Sequence, residues 1–538
     1  MKPSTSILIA ATISILAIAI PAEVPAQQPR YKLVDLGTLG GPNSSMQDAP
    51  IRALNNHGMV DGSAETSTSD PTYPNSCIFC GDPLIAHAFG WKDGVLTDLG
   101  ALAGTNTSAA NWINDNGLSV GWSSDNDHMD PLLGVPQMHA TFWKNGEIFD
   151  LGTLEGGYES AALSANSRGQ VVGVSANLVP DPFGPLGTQN RMFLWQNGMM
   201  QDLGTLGVGT DAGFLDFVGA AVINDRGQVA SCSYTNSTAN TVTGVPTLDP
   251  FLWEHGAMRD LGSLGGTFGC AVSLNNRGQV VGYSNLAGDL AFHPFIWDDA
   301  ALKDLGTLGG NNGLPYQINE NGHVVGRADV TDICTACAPG NQKQLHHPFI
   351  WKNGVMTDLG LVSGDTAGTA YSVNSKDQVV GRTVQCMQIG ADDGCNGPVY
   401  HAFLWQRGTI FDVQTLIASD SVITVNDVRN INERGEIAGL GVLPNGDTHA
   451  VLLVPCREGE ESCEDAPASS LQGTPSETLP AKPWSLVDRI TVTSQSLSGT
   501  WGKCLPYGHQ CALGGGFGQA HCCSGLTCAY CGLRDCCL

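Results

Sequence analysis

Residues 274–282 read Leu274-Asn275-Asn276-Arg277-Gly278-Gln279-Val280-Val281-Gly282. A short polar step ending in Gly separates an apolar residue from a β-branched run. Arg-Gly, Asn-Gly and Asp-Gly steps supply the positive φ that a tight strand-to-strand turn demands, and Val-Val favours a pleated strand. The phrase therefore reads as a hairpin. Its leading asparagine recurs at Asn55, Asn114, Asn166, Asn224, Asn275, Asn319, Asn374 and Asn432, which makes eight copies.

A second phrase lies between these copies. Phe89-Gly90-Trp91-Lys92-Asp93-Gly94 is followed by Asp98-Leu99-Gly100, and the pattern returns around Trp143, Trp195, Trp253, Trp297, Trp351 and Trp405. The matching aspartates are Asp150, Asp202, Asp260, Asp304, Asp358 and Asp412. This is again strand, turn, strand. Two hairpins in each unit of about 50 residues give four strands, the content of one propeller blade. No stretch of the repeat shows a long apolar stripe at helical period. A parallel β-helix would need shorter coils and fewer hairpin turns, so it ranks second.

The ends of the repeat predict closure. Tyr31-Lys32-Leu33-Val34-Asp35-Leu36-Gly37 is a strand with no preceding partner, and His449-Ala450-Val451-Leu452-Leu453-Val454 is one with no following partner. Each is the half that the other lacks. Pairing them completes the eighth unit and removes two exposed sheet edges. The expected fold is all-β: an eight-bladed β-propeller of four-stranded antiparallel blades, closed by the N- and C-terminal strands, plus a small disulfide-rich C-terminal module. Innermost is the Ala-x-x-Ile-Asn strand, then Val-Val-Gly, then His-Ala-Phe-Leu-Trp, with Asp-Leu-Gly outermost.

Composition bounds the partners. The 538 residues include 68 Gly and carry a formal net charge of -26. A polyanionic nucleic acid or an anionic membrane surface is repelled by such a chain. At the N-terminus, Lys2, the uncharged stretch Ile7 to Ile20 and the small residues of Val24-Pro25-Ala26 read as an export signal over residues 1–26. That run is shorter than the ~20 residues of a spanning helix, and no later segment qualifies as transmembrane. The expected location is secreted or cell surface. The even total of 18 cysteines suits an oxidising compartment.

With His87-Ala88-Phe89, His401-Ala402-Phe403-Leu404-Trp405 and Asp304-Leu305-Gly306-Thr307-Leu308-Gly309-Gly310 aligned, residues 31–454 resemble the HAF family of extracellular repeats. The resemblance implies export and repeat identity, and it implies no catalytic residues. Arg191-Met192-Phe193, Asp249-Pro250-Phe251 and His293-Pro294-Phe295 depart from the His-Ala-Phe string, which argues against a role needing His in every copy.

Sites are expected on the connections between second and third strands, which vary in length. Their longest copies are residues 63–86, 123–138, 233–249, 327–345 and 382–400. Variable loops on one face of a rigid scaffold are the usual place for binding. Tyr73, Trp122, Asp125 and Asp127 are the candidate binding residues. Asp125, Asp127 and Asp130 lack the full ligand spacing of a calcium loop. The histidines His87, His139, His293, His401 and His449 recur once per unit, so symmetry keeps them apart and hydrogen bonding is their expected role. No metal, cofactor or catalytic constellation is expected, and no Gly-x-Ser-x-Gly, His-Glu-x-x-His or phosphate loop occurs.

Cysteine pairs Cys77/Cys80, Cys334/Cys337 and Cys386/Cys395 read as loop staples, and Cys232/Cys270 as a bridge between successive units. Residues 456–503 read as a linker, with Cys456 clipped to Cys463. Residues 504–538 then hold Cys504, Cys511, Cys522, Cys523, Cys528, Cys531, Cys536 and Cys537. A piece this small needs staples to fold. The string Cys522-Cys523-Ser524-Gly525-Leu526-Thr527-Cys528 resembles knottin-type cystine-knot peptides, and that resemblance implies a Cys504–Cys523 pairing.

The expected function is non-enzymatic: an extracellular protein presenting variable loops to a glycan or protein. The alternatives are a secreted polysaccharide hydrolase or lyase with its site at the propeller channel, and a structural surface or matrix protein.

Overall fold

The structure is a computed structural model that describes residues 28–46, 52–73, 82–102, 107–131, 134–154, 156–183, 188–207, 221–333, 344–389 and 395–456, with the short strands His509–Gln510, Cys528–Ala529 and Cys536–Cys537. The signal segment 1–26, most of the linker and most of the cysteine-rich module lie outside these residues. So do Cys77, Cys80, Cys334, Cys337, Cys463, Cys504, Cys511, Cys522, Cys523 and Cys531. The three short strands pair antiparallel with one another.

The protein is all-β and β-propeller-like. Among the described residues the repeat forms six four-stranded antiparallel sheets and one eight-stranded sheet. The larger sheet is two such units joined by a parallel contact of Leu248 with Phe268. We number the units in chain order. Sheet 1 spans residues 40–100, sheet 2 108–152, sheet 3 160–202, sheet 4 222–260, sheet 5 265–304, sheet 6 309–358 and sheet 7 367–412. Sheet 3 shows the pattern: Ser160–Ala165 inner, Val171–Pro180 second, Thr188–Gln196 third and Met199–Asp202 outer. The strand order is the one expected from the repeat phrases.

Sheet 8 is assembled from both ends of the repeat. Thr424–Ile431, Ile437–Val442 and Thr448–Pro455 supply its inner three strands, and Tyr31–Asp35 is its outer strand. Tyr31 faces Pro455, Leu33 faces Leu453 and Asp35 faces Val451 in an antiparallel ladder.

Two turn chemistries alternate. In the Trp-led turns both central residues take positive φ, as at Asn145 (54°) and Gly146 (81°). This matches the right-handed twist of the flanking strands. In the Asn-led turns only the fourth residue does so. Gly227 stands at φ 82° while its neighbour Arg226 does not share that conformation. The Arg-Gly step is therefore a positive-φ pair at Arg407-Gly408 (52° and 83°) but not at Arg226-Gly227.

The core lies between sheets. Six of the eight third strands bury a phenylalanine completely: Phe89, Phe193, Phe251, Phe295, Phe349 and Phe403 are all 0% exposed. The Gly of the Val-Val-Gly phrase receives that ring. A Cβ built on Gly173 would lie 2.0 Å from the Ala161 carbonyl oxygen and 2.8 Å from Phe193. Any side chain there would force the sheet apart.

Cys232 on sheet 4 and Cys270 on sheet 5 form the expected disulfide between successive units. Cys456 is also disulfide-bonded. Cys386 and Cys395 lie on two arms of one hairpin, where Cys386 faces Pro398 and Cys395 faces Ile389 in the backbone register.

Candidate functional site

The asparagine of every Asn-x-x-Gly turn is buried, between 0% and 6% exposed. Its Oδ1 accepts backbone N–H groups two and four residues ahead, as Asn224 does from Arg226 and Gln228 at 3.0 Å each. That use fixes the turn and leaves Nδ2 free to reach the next sheet. Asn55 donates to the carbonyl of Asn114, Asn114 to Asn166, Asn166 to Asn224 and Asn224 to Asn275. Asn275 donates to Asn319, Asn319 to Asn374, Asn374 to Asn432, and Asn432 to Asn55. These eight bonds are 2.7–3.1 Å long and return to their starting point.

The residue after each asparagine alternates in charge. Asn56, Ser167, Asn276 and Ser375 are neutral, whereas Asp115, Asp225, Glu320 and Glu433 are acidic. Each acid accepts the backbone N–H of the neutral residue on the preceding sheet: Asn56 to Asp115, Ser167 to Asp225, Asn276 to Glu320 and Ser375 to Glu433. Burial works against the charge on Asp115. The Arg52 guanidinium and the Asn56 donors outweigh it and hold that carboxyl below its usual range.

Inside this crown lies a cavity of about 520 Å³ lined by the inner strands of sheets 2 to 8 and, beside sheet 1, by Arg52, Leu54 and Asn56. Its walls include Trp112, Tyr316, Tyr371, Ile223 and Val272. Tyr316 and Tyr371 meet edge-on with ring centroids 5.3 Å apart. A hydrolase reading would look for its acids here, and the acids present are tied to neighbouring backbone.

The opposite ends of the sheets carry the second-to-third connections and the passages between sheets. These connections are less loop-like than the sequence suggests. The second strand runs out to Ser69 in sheet 1, Met129 in sheet 2, Pro180 in sheet 3 and Ile333 in sheet 6. In these sheets the described part of the connection is largely a hairpin arm. The tips of the connections expose large apolar side chains on six consecutive sheets: Tyr73, Met129, Leu178 with Val179, Val242, Leu290 and Ile333, each 41–83% exposed.

The candidate binding residues separate. Tyr73 is half-exposed beside the first tip. Asp125 and Asp127 lie on the sheet 2 arm, where Asp125 accepts the Asp127 N–H and pairs with His128 Nδ1 at 2.7 Å. That pairing raises the His128 pKa. Trp122 is corrected. It sits on the strand Ser119–Met129 between Ala109 and Ala140 and is 8% exposed, so it packs the core and presents nothing to a ligand. Its place two residues after Val120 in a period-2 strand was the available signal.

The repeated histidines are hydrogen-bonding residues. Nδ1 of His87, His139, His293, His347 and His449 pairs with Asp98, Asp150, Asp304, Asp358 and Asp35 at 2.8–3.0 Å. The last clasp joins the two ends of the repeat. Burial opposes ionisation of Asp150 and Asp358, but the histidine hydrogen bonds keep both carboxyls below their usual range. Arg191 replaces the histidine against Asp202. His401 turns to Asp365 instead, which raises its pKa. Sheet 4 places Asp249 there, facing Asp260. Burial and that second carboxylate push Asp249 up to about 6.

Among the described residues, no group of three or more His, Cys, Asp or Glu could hold a metal ion. No described helix is long and apolar enough to cross a membrane.

The strand order defines the class as β-propeller-like. No protein-family model matches the chain, and no curated protein does. Among solved structures, the β-propeller domain of the Trilobed protease from Pyrococcus furiosus is similar, with TM-score 0.37, 8% identity, and 66% of this chain and 95% of that chain covered. An acylaminoacyl peptidase from Pyrococcus horikoshii has TM-score 0.34 and 10% identity, covering 74% of this chain and 57% of that one. TolB from Acinetobacter baumannii has TM-score 0.29 and 11% identity, covering 63% and 64%.

Proposed function

We propose that the eight sheets are the blades of one closed propeller, and that this propeller is an exported, non-enzymatic binding protein of the HAF type. The closed asparagine cycle and the pairing of Tyr31–Asp35 with Thr448–Pro455 support the ring. The hairpin tips form the binding face, and an extracellular glycan or protein is the partner. The single observation carrying this reading is the exposure of large apolar side chains at the tips of six consecutive sheets. Exposed apolar groups gathered on one face of a water-soluble scaffold mark an interaction surface. Glycans stack on such groups and proteins bury them. The C-terminal module, with its knottin-like cysteine string, adds a second contact through the linker.

The test is a glycan-array and pull-down screen with the full chain, repeated with Tyr73→Ser, Met129→Ser and Leu290→Ser combined. A saturable ligand lost in the triple variant supports the reading. No saturable ligand, or one retained unchanged, contradicts it.

A further inference from the structure

The cavity inside the crown is built like a small-molecule site. At its mouth stand residues that follow the crown asparagines. Ser167, Asp225, Asn276, Glu320, Ser375 and Glu433 line the cavity and are solvent-exposed, so it opens on the crown face. Its volume of about 520 Å³ falls within the roughly 300–1,000 Å³ of ligand pockets.

Below the mouth the walls turn apolar. Residues that precede the crown asparagines supply an aliphatic belt, including Leu54, Ile223, Ile318 and Ile431. Trp112, Tyr316 and Tyr371 add three aromatic rings. Trp112 is held in place, because its Nε1 donates to the Ala165 carbonyl of sheet 3 at 3.1 Å. Tyr316 and Tyr371 are 3% and 4% exposed and brace each other edge-on. A preformed pocket with fixed rings needs little reordering to take a ligand.

The charges of the lining are one-sided. It holds four acids, Asp115, Asp225, Glu320 and Glu433, and one base, Arg52. Arg52 is paired with Asp115, which leaves three carboxylates on sheets 4, 6 and 8. The basic residues of the same turns are tied to neighbouring turns. A Cβ built on the turn glycine of the next sheet would meet Nη2 of Arg168, Arg226, Arg277 or Arg434 at 2.1–2.4 Å. Lys376 donates to the Glu433 carbonyl at 2.8 Å. None of these five lines the cavity.

The acids stand apart, and among the described residues no three acids, histidines or cysteines gather to hold a metal ion. They act instead as a shared negative field over an apolar well, and a cleft concentrates the opposite charge. Aromatic faces attract cations as well. Tyr371 already carries one: the Arg429 guanidinium, itself paired with Asp427, lies 4.9 Å from its ring centre.

We propose that this cavity binds one small organic cation, with an aromatic or aliphatic body seated in the belt and an ammonium group toward the carboxylates of the mouth. The site lies at the end of the sheets away from the hairpin tips, so it does not rest on the tip-face reading.

The probe is benzyltrimethylammonium chloride, titrated calorimetrically into the full chain, with benzyl alcohol and sodium phenylacetate as neutral and anionic matches. Melting curves show that each variant is folded. The natural chain should bind one cation saturably, about tenfold or more tighter than phenylacetate. The variant Asp225→Asn/Glu320→Gln/Glu433→Gln keeps an acceptor oxygen for the Ser167, Asn276 and Ser375 N–H groups that these acids bind. It should weaken the cation about tenfold and leave benzyl alcohol unchanged. Trp112→Leu keeps the rim and should weaken cation and alcohol alike, about fivefold. The combined tip variant Tyr73→Ser/Met129→Ser/Leu290→Ser should bind the cation as the natural chain does. No saturable binding of the cation, equal affinity for phenylacetate, or undiminished binding in Trp112→Leu would overturn the proposal.

Discussion

Asn432 donates its Nδ2 hydrogen to the carbonyl oxygen of Asn55 at 3.0 Å, across 377 residues of sequence. The other seven bonds of the cycle span 44–59 residues each. One short polar side chain thus performs between the last sheet and the first the task that its counterparts perform between neighbours. Asn432→Ala removes this bond and the acceptor for Arg434 and Glu436 N–H groups. The buried Asn55 carbonyl is left with the Gly58 N–H as donor. The expected loss is about 2–4 kcal/mol of unfolding free energy, from several buried hydrogen bonds at ~1 kcal/mol each. Urea unfolding checks it, with hydrogen exchange expected to accelerate at both ends of the repeat.

Asp61 stands where other second strands carry Val or Ala, and it is 0% exposed. Burial, opposed by Ser119 and Arg52, holds its pKa well above the usual 3.8. The native state therefore binds a proton that the unfolded chain has released, and stability falls as pH rises above about 4. Asp61→Val should stabilise the protein at neutral pH by about 1–3 kcal/mol. It should also flatten the pH dependence. Chemical unfolding at pH 4 and pH 7 measures both effects, and a variant less stable at pH 7 would contradict them.

Ala300 takes φ +66° in the turn of sheet 5, a place where six other Trp-led turns have Gly. A Cβ in the left-handed region costs about 1–2 kcal/mol, and glycine's extra unfolded-state freedom returns part of that. Ala300→Gly should therefore raise stability by about 0.5 kcal/mol. Urea midpoints of the two proteins, with equal slopes, test this.

Asp249 faces Asp260 where other sheets pair His or Arg with Asp. Its folded pKa of about 6 lies above the unfolded 3.8. Its protonated form is thus favoured by folding, and stability is lost as pH climbs from about 4 through 6. Asp249→His restores the clasp. The variant should lose less stability than the natural chain between pH 4 and pH 6.5, read by melting temperature at each pH. An unchanged profile would show that the facing carboxylates contribute nothing.

Strand order, turn positions and the split final sheet were legible in the repeat because each rests on local chemistry: Asn or Asp before Gly, β-branched runs, and unpaired end strands. The inter-sheet Cys232–Cys270 bond was legible from its register in the repeat. Other features were hidden because they join residues far apart in sequence. The donor side of each asparagine points to the next sheet, so a single turn does not reveal it. Nor does it reveal the alternation of acids, which matters only once Asp115, Asp225, Glu320 and Glu433 share a rim. Trp122 read as a loop aromatic because the acids after it suggested a loop, whereas the strand continues to Met129.

The account rests on the first and last strands of the repeat sharing one sheet. Lys32 lies directly opposite Val454 in that ladder. Facing Cβ atoms in an antiparallel pair lie within disulfide reach. Peptide mapping of oxidised Lys32→Cys/Val454→Cys should recover one cross-linked peptide joining the two positions. Recovery of both cysteines unlinked, with the Cys232–Cys270 bond intact, would contradict the pairing.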